Sequence, residues 1–329
     1  MKEKIINLVL CPFRDESGFK ISVEAAAIGL VIVLGVIATL HSPAFLSMFN
    51  LTLILDSITL YILLALGLTF VLMSGSVNLA VGGKLALSCV LFALLSRHIG
   101  LWSIPIVAAA GFVMGWAIGL VFNILKIPSF VATFGMMGVY TSLAVVISGG
   151  SPIVLSMDVT RQLRILNRMI VPGVRVQYLI AAAVFLVFLF IQKRTSFGKF
   201  VMAVGNSQEA TKHIGVNVGR MKLMCFGLSG LSIALGAILL TSRLHAGDPT
   251  VGAPYLLLMV AVVIVGGTSL TGGTGGVVNT LLGALTISVL QNVLQITSVN
   301  IYYHSVIIGA VMIIAVTLSL DKKRVLVVK

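Results

Sequence analysis

Ten almost uncharged apolar runs dominate the chain, at about 21–40, 51–73, 77–97, 101–125, 129–148, 172–192, 221–243, 255–270, 276–297 and 303–320. A helix needs roughly 20 apolar residues to cross a hydrocarbon layer of about 30 Å, and most of these runs reach that length. The 329 residues are 59% hydrophobic and 9% charged. A soluble domain carries a charged fraction near a quarter, and a disordered chain requires low hydrophobicity, so both classes are excluded. The expected fold is an all-α integral membrane protein of about ten transmembrane helices with both termini cytoplasmic. Its expected parts are an N-terminal segment at 1–20, a single membrane domain at 21–320 and a tail at 321–329.

The formal charge of +13 reports orientation. Basic residues gather at the N-terminus (Lys2, Lys4, Arg14, Lys20), in 193–222, and after residue 320 (Lys322, Lys323, Arg324, Lys329). Six spans separate the first cluster from the second, so ten spans put all three on one side, as the retention of positive charge in the cytosol demands. This pattern makes a nucleic-acid partner unnecessary. One segment runs against it: 149–175 carries Arg161, Arg164, Arg168 and Arg175 yet falls on the opposite side. Its short apolar stretches between arginines suggest an amphipathic helix lying on a surface.

Asp56 and Lys84 are the ionisable residues most clearly inside apolar runs. Each costs about 2.5–3.5 kcal/mol at membrane depth on insertion scales, so each needs a wet cavity or a partner. Antiparallel spans would keep the two apart. They either line a translocation path or reach toward the headgroups. Two glycine-rich breaks, 74–83 and 266–276, interrupt the runs. Non-helical backbone at membrane depth is tolerated only inside protein or beside a water-filled cavity; the alternative is a tight turn at the membrane edge. Gly111, Gly115 and Gly119 recur every fourth residue, which lets a helix approach its neighbour closely.

Signatures of catalysis are missing. Gly83-Lys84 lacks the Ser or Thr and the earlier Gly of a nucleotide-binding loop, and the five histidines show no metal-binding spacing. Cys11, Cys89 and Cys225 are far apart and read as small apolar residues rather than a disulfide framework. The 193–222 segment is more informative. Ser207 is placed to cap a short helix through Gln208, Glu209, Ala210, Thr211 and Lys212, with an acid in the first turn and a base in the last. Gly215 suits its stop.

Several blocks resemble the ribose/galactose-type permease family of ATP-binding-cassette importers, within the branched-chain-amino-acid/ribose-type permease superfamily. They are Ile127–Met137, Ser148–Gly150, Arg194–Lys222, Leu228–Gly230, Ser242–Leu244 and Gly266–Gly275 continuing to Ala284, and the resemblance covers roughly 45–320. It implies a type II-like permease in a bacterial inner membrane, with no ATPase site or cofactor of its own. ATP and magnesium would sit on a cytosolic ATPase partner. A second permease copy and an extracytoplasmic solute-binding protein would complete the importer of a monosaccharide or related small polar solute. Asn206, Ser207, Glu209, Ala210, Thr211 and Gly215 would form the helix that couples to the ATPase. Candidates for the passage are Asp56, Asn78, Lys84, Phe134, Met137, Gly267, Thr268, Gly272 and Gly273.

The chain departs from the family pattern twice. Ser76-Val-Asn78-Leu-Ala80-Val-Gly82 stands where many members have Gly-Ile-Asp-Leu-Ser-Val-Gly, and Pro254-Tyr-Leu256-Leu-Leu258 where they have Gly-Tyr-Glu-Leu-Asp. Three carboxylates are replaced, which favours a heterodimer with a charged partner copy over a homodimer; a changed cargo, such as a nucleoside or a furanosyl signalling molecule, is the competing explanation. An ion-driven secondary transporter is the alternative class, but it would want more buried carboxylates and an inverted repeat.

Overall fold

The computed structural model describes residues 23–171, 173–297 and 299–319. The expected terminal segments, with their basic clusters and Cys11, lie outside the described residues. Every one of the ten apolar runs contains a helix: α1 (Val23–His41), α2 (Met48–Met73), α3 (Val81–Ile99), α4 (Ser103–Leu125), α5 (Ser129–Ser148), α7 (Val176–Arg194), α10 (Val218–Leu244), α11 (Tyr255–Val265), α12 (Val277–Ile296) and α13 (Ile301–Ser319). The surface elements between them are α6 (Met157–Asn167), α8 (Ser196–Asn206) and α9 (Gln208–His213). Six helical stretches are long and apolar enough to cross a membrane, one being the 45-residue Val81–Leu125 run that takes in α3 and α4. Shorter apolar helices add to these.

The run at 255–270 is corrected. Its helix stops at Val265 after 11 residues, about 16 Å of rise, which is half a crossing. Gly266 and Gly267 turn the chain there, with Gly267 at φ +102°.

The fold is centred on α10, which packs along α4, α2 and α3. The four-residue glycine repeat of α4 faces it as expected. A Cβ on Gly115 would lie 2.0 Å from the Phe226 carbonyl oxygen, and one on Gly230 would lie 1.9 Å from that of Gly111. The two backbones therefore touch, and van der Waals contact replaces the hydrophobic drive that lipid does not supply. Cys89 and Cys225 are buried, free thiols.

Polar bonds tie the outer helices to this centre. Asn50 of α2 and Asn292 of α12 exchange amide hydrogen bonds, Nδ2 to Oδ1, at 2.9 and 2.7 Å, and both residues are buried. Asn292→Leu is expected to leave the Asn50 amide half-satisfied and to cost about 1 kcal/mol. A lowered midpoint of thermal unfolding in detergent would show it; an unchanged midpoint would mean the amide pair does not hold α12.

Two short antiparallel pairings complete the architecture. β1 (Ile153–Val154) pairs with β4 (Ala246–Gly247), and β2 (Met169–Val171) with β3 (Val174–Arg175). Between them lies α6, the expected amphipathic helix. Ser156 Oγ caps it by accepting from Val159 N at 3.4 Å, and Val159 and Leu163 are buried against the protein.

Candidate functional site

Three places gather the unusual chemistry. The first is the break between α2 and α3. Ser74, Ser76 and Asn78 are buried, so the break lies inside protein and not at an exposed edge. Its backbone is held by side chains: Val77 N donates to Ser129 Oγ (3.0 Å) and Ala80 N to Asn78 Oδ1 (3.0 Å). Ser229 Oγ of α10 accepts from Asn78 Nδ2 at 3.0 Å and from Lys84 Nζ at 3.3 Å. Lys84 is fully buried, so it does not reach toward the headgroups. Its bond to Ser229 ties α3 to α10.

A groove of about 320 Å³ opens beside this turn. Gly82, Gly83 and Ala86 of α3 form one wall, Met137, Thr141 and Val145 of α5 a second, and the 249–256 segment a third. Gly83 admits the close approach, since a Cβ there would lie 2.6 Å from the Met137 carbonyl oxygen. No ionisable side chain lines the groove. Thr250 is held by Asp248 Oδ1 at 2.8 Å, whereas the Thr141 hydroxyl has no hydrogen-bond partner among the described residues. Of the expected passage residues, Met137 lines this groove. Phe134 lies on α5 with its ring exposed, and Asn78 and Lys84 are buried against Ser229 and do not line it. Thr141, Gly82 and Gly83 were not among the candidates; an unpaired hydroxyl becomes visible only once its neighbours are known.

The second place is the junction below. The break at 266–276 does not meet the groove. It folds against Met73–Gly75 and the C-terminal end of α8, carrying Gly267, Thr268, Gly272 and Gly273 with it. Gly273 N donates to Met73 O at 2.9 Å, and Asn206 Nδ2 donates to Gly273 O at 3.4 Å. Gly75 and Gly273 have φ of +71° and +76°, a region that favours glycine. Gly205 is the third member: a Cβ there would stand 1.9 Å from Met73 O. Thr268 is buried, with its hydroxyl unpaired.

From this junction the chain leads directly into α9. Ser207 Oγ accepts from Ala210 N at 3.2 Å, as its capping position predicted, and Gly215 follows at φ +84°. Glu209 lies in the first turn and is exposed, while Thr211 is buried and donates to Ser207 O at 2.7 Å. The expected single short helix in 193–222 is thus preceded by a second, α8, whose sequence (Ser196–Asn206) reads as loop because glycines interrupt it.

The third place surrounds Asp56. Its carboxylate accepts from Arg175, from Gln177 Nε2 (2.6 Å) and from the Tyr178 hydroxyl (2.7 Å). Arg243 Nη2 donates to Asp56 O at 2.8 Å and stands 4.0 Å from Oδ1. Asp56 is therefore a tie between α2, α7 and α10, and it stands apart from the lining of the groove beside α3. Its partners were legible in principle, since Arg175 opens its run and Arg243 closes its own, which alternating spans bring to one side.

The branched-chain amino acid transport system / permease component family matches residues 50–316. The chain belongs to this family. It is 33% identical to the ribose import permease protein RbsC of Haemophilus influenzae over 309 residues, covering 92% of this chain and 96% of that one. It is 35% identical to the RbsC of Bacillus subtilis, covering 89% and 90%, and 31% identical to the L-arabinose permease protein AraH of Azospirillum brasilense, covering 94% and 91%. No solved structure matches the chain significantly. The permease is a multi-pass membrane protein, and its relatives are sugar permeases of ATP-binding-cassette importers.

Proposed function

We propose that this permease is the membrane-spanning subunit of a bacterial inner-membrane importer, moving a monosaccharide or related small polar solute by alternating access. The observation that carries the reading is the continuity of α9 with the glycine junction. A helix exposed at one end of α10, fused to the buried ends of α2 and of the 266–276 break, is built to convert an outside push into helix movement. ATP and magnesium belong to the partner ATPase, which docks on Glu209 and its neighbours. A second permease copy faces the open side of α5. The groove between α3, α5 and 249–256 is this copy's share of the passage, with the Thr141 hydroxyl turned to the cargo. Its lack of charge suits a heterodimer in which the other copy supplies the carboxylates absent at Asn78, Leu256 and Leu258. A solute-binding protein delivers cargo on the opposite face.

Glu209→Lys tests the reading. It replaces the acid at the helix N-terminus with a base, opposing the macrodipole on an exposed docking face. We expect ATP-driven uptake of labelled pentoses and hexoses in proteoliposomes to fall by on the order of tenfold, with insertion and thermal stability retained. Wild-type uptake that persists without the ATPase would replace this reading with an ion-driven transporter.

A further inference from the structure

The chain between α5 and α7 sets bare arginines beside bare apolar side chains. The 27 residues of α10 span about 40 Å, more than the hydrocarbon layer, so its two ends stand on opposite sides of the membrane. α9 adjoins the N-terminal end of α10. At the C-terminal end lie β1, β4 and α6, where Leu155 N donates to His245 O at 2.9 Å. Retention of positive charge accounts for the bases around α9 and runs against those around α6. Arg161, Arg164 and Arg168 are exposed, and their side chains have no partner among the described residues.

Arg168 ends α6 in an extended conformation (φ −63°, ψ 130°) and leads into the β2–β3 hairpin. Met169, Ile170 and Val171 of β2 are 52, 55 and 57% exposed. Successive strand residues point to opposite faces, so protein covers neither face of β2. Met157 and Ile165 are exposed as well, and at 100° per residue they share the outward face of α6 with Arg161 and Arg164. A contiguous apolar patch of this kind is costly against water.

The position of the hairpin supplies the missing cover. Its turn rests on the start of α2, where a Cβ on Gly173 would lie 3.2 Å from Met48 Sδ. The 26 residues of α2 span about 39 Å, so its first turn, with exposed Met48 and Phe49, reaches the headgroup layer. β3 runs directly into α7, whose flank is exposed and apolar at Leu179, Ile180, Leu186 and Val187, a surface suited only to lipid. Trp102, 78% exposed on the Gly100–Trp102 turn that α6 touches, is the residue type enriched at the membrane–water boundary. The patch is therefore continuous with lipid-facing surface. A guanidinium held at that level grips a phosphate through two parallel hydrogen bonds, and anionic lipid neutralises the unpaired charge.

We propose that α6 and the β2–β3 hairpin form an anionic-phospholipid site in the leaflet opposite α9. Met169–Val171 enter the acyl boundary, and Arg164 and Arg168 hold the headgroup phosphate. The site depends neither on the cargo nor on the ATPase. The test puts one tryptophan into the hairpin of the full-length permease, Ile170→Trp with Trp102→Phe and Trp116→Phe, reconstituted in phosphatidylcholine bilayers. Its fluorescence is read with a minor fraction of the lipid brominated on its acyl chains, as either phosphatidylglycerol or phosphatidylcholine. Both are expected to quench, phosphatidylglycerol on the order of fivefold more strongly at low salt, with the excess fading as salt rises. R164Q/R168Q in the same background is expected to remove the excess and keep the quenching by phosphatidylcholine. Met169→Trp serves as a second reporter, and the helical content of each variant is checked. Quenching by neither lipid puts the hairpin outside the bilayer and overturns the proposal. Equal quenching by both, or an excess that survives R164Q/R168Q, also overturns it, since these arginines then select no headgroup.

Discussion

Gly205→Val is expected to uncouple the permease, with uptake lost by at least tenfold while the chain still inserts and folds. The added Cβ would stand 1.9 Å from Met73 O and 2.4 Å from Gly273 N. Both are backbone atoms, and they are the acceptor and donor of the hydrogen bond that joins the two breaks. Neither can swing aside as a side chain would, so α8 must retreat. Its retreat takes the Asn206 Nδ2 bond to Gly273 with it. In the proposed importer α9 would then still dock the ATPase but push on a detached element. ATP hydrolysis persisting without uptake is the expected signature, and a tenfold loss corresponds to only about 1.4 kcal/mol of coupling. Uptake and thermal stability both at wild-type values would show that the contact transmits nothing.

Asp56→Ala should produce the largest loss of stability among single changes at the α6 end. Arg175 and Arg243 share that one carboxylate, and their side chains are 24% and 21% exposed beside an Asp56 at 14%. Removing it strands the Arg175 guanidinium and leaves Arg243 with only the carbonyl of residue 56 and Gln177 Oε1. Stranding a buried charge costs about 3 kcal/mol or more. Thermal unfolding in detergent should therefore shift down well beyond the effect of Asn292→Leu. Asp56→Ala combined with Arg175→Leu should recover part of the loss, because the second change removes one stranded charge. A double variant less stable than either single one would place the energy in packing and not in charge.

The helices were legible because each apolar run is long and nearly free of charge, and the capping of α9 was legible because Ser207, Glu209 and Gly215 act locally. The junction was not. Gly75, Gly205 and Gly272 are scattered along the chain, and each reads alone as an ordinary turn. Only the fold shows that their missing side chains occupy the same space. Hydropathy likewise carried the 255–270 run past Val265, since Gly266 and Gly267 do not interrupt an apolar average. Lys84 shows what charge alone leaves out: its place within an apolar run was legible, its bond to Ser229 of α10 was not. Thr141, an unremarked hydroxyl in an apolar helix, is the polar group left free beside the groove.

The Asn50–Asn292 exchange also sets a timetable for biogenesis. Its members are 242 residues apart. At about 5–20 residues added per second, the ribosome delivers Asn292 roughly 12–50 s after Asn50. An unpaired amide waiting that long would draw α2 toward any chance acceptor. Asn50 Nδ2 also donates to Phe45 O at 2.9 Å, a bond available as soon as α2 begins. Phe45 O thus gives one amide hydrogen a local partner that it keeps, and the arrival of α12 is the moment at which the first half of the protein is locked to the last.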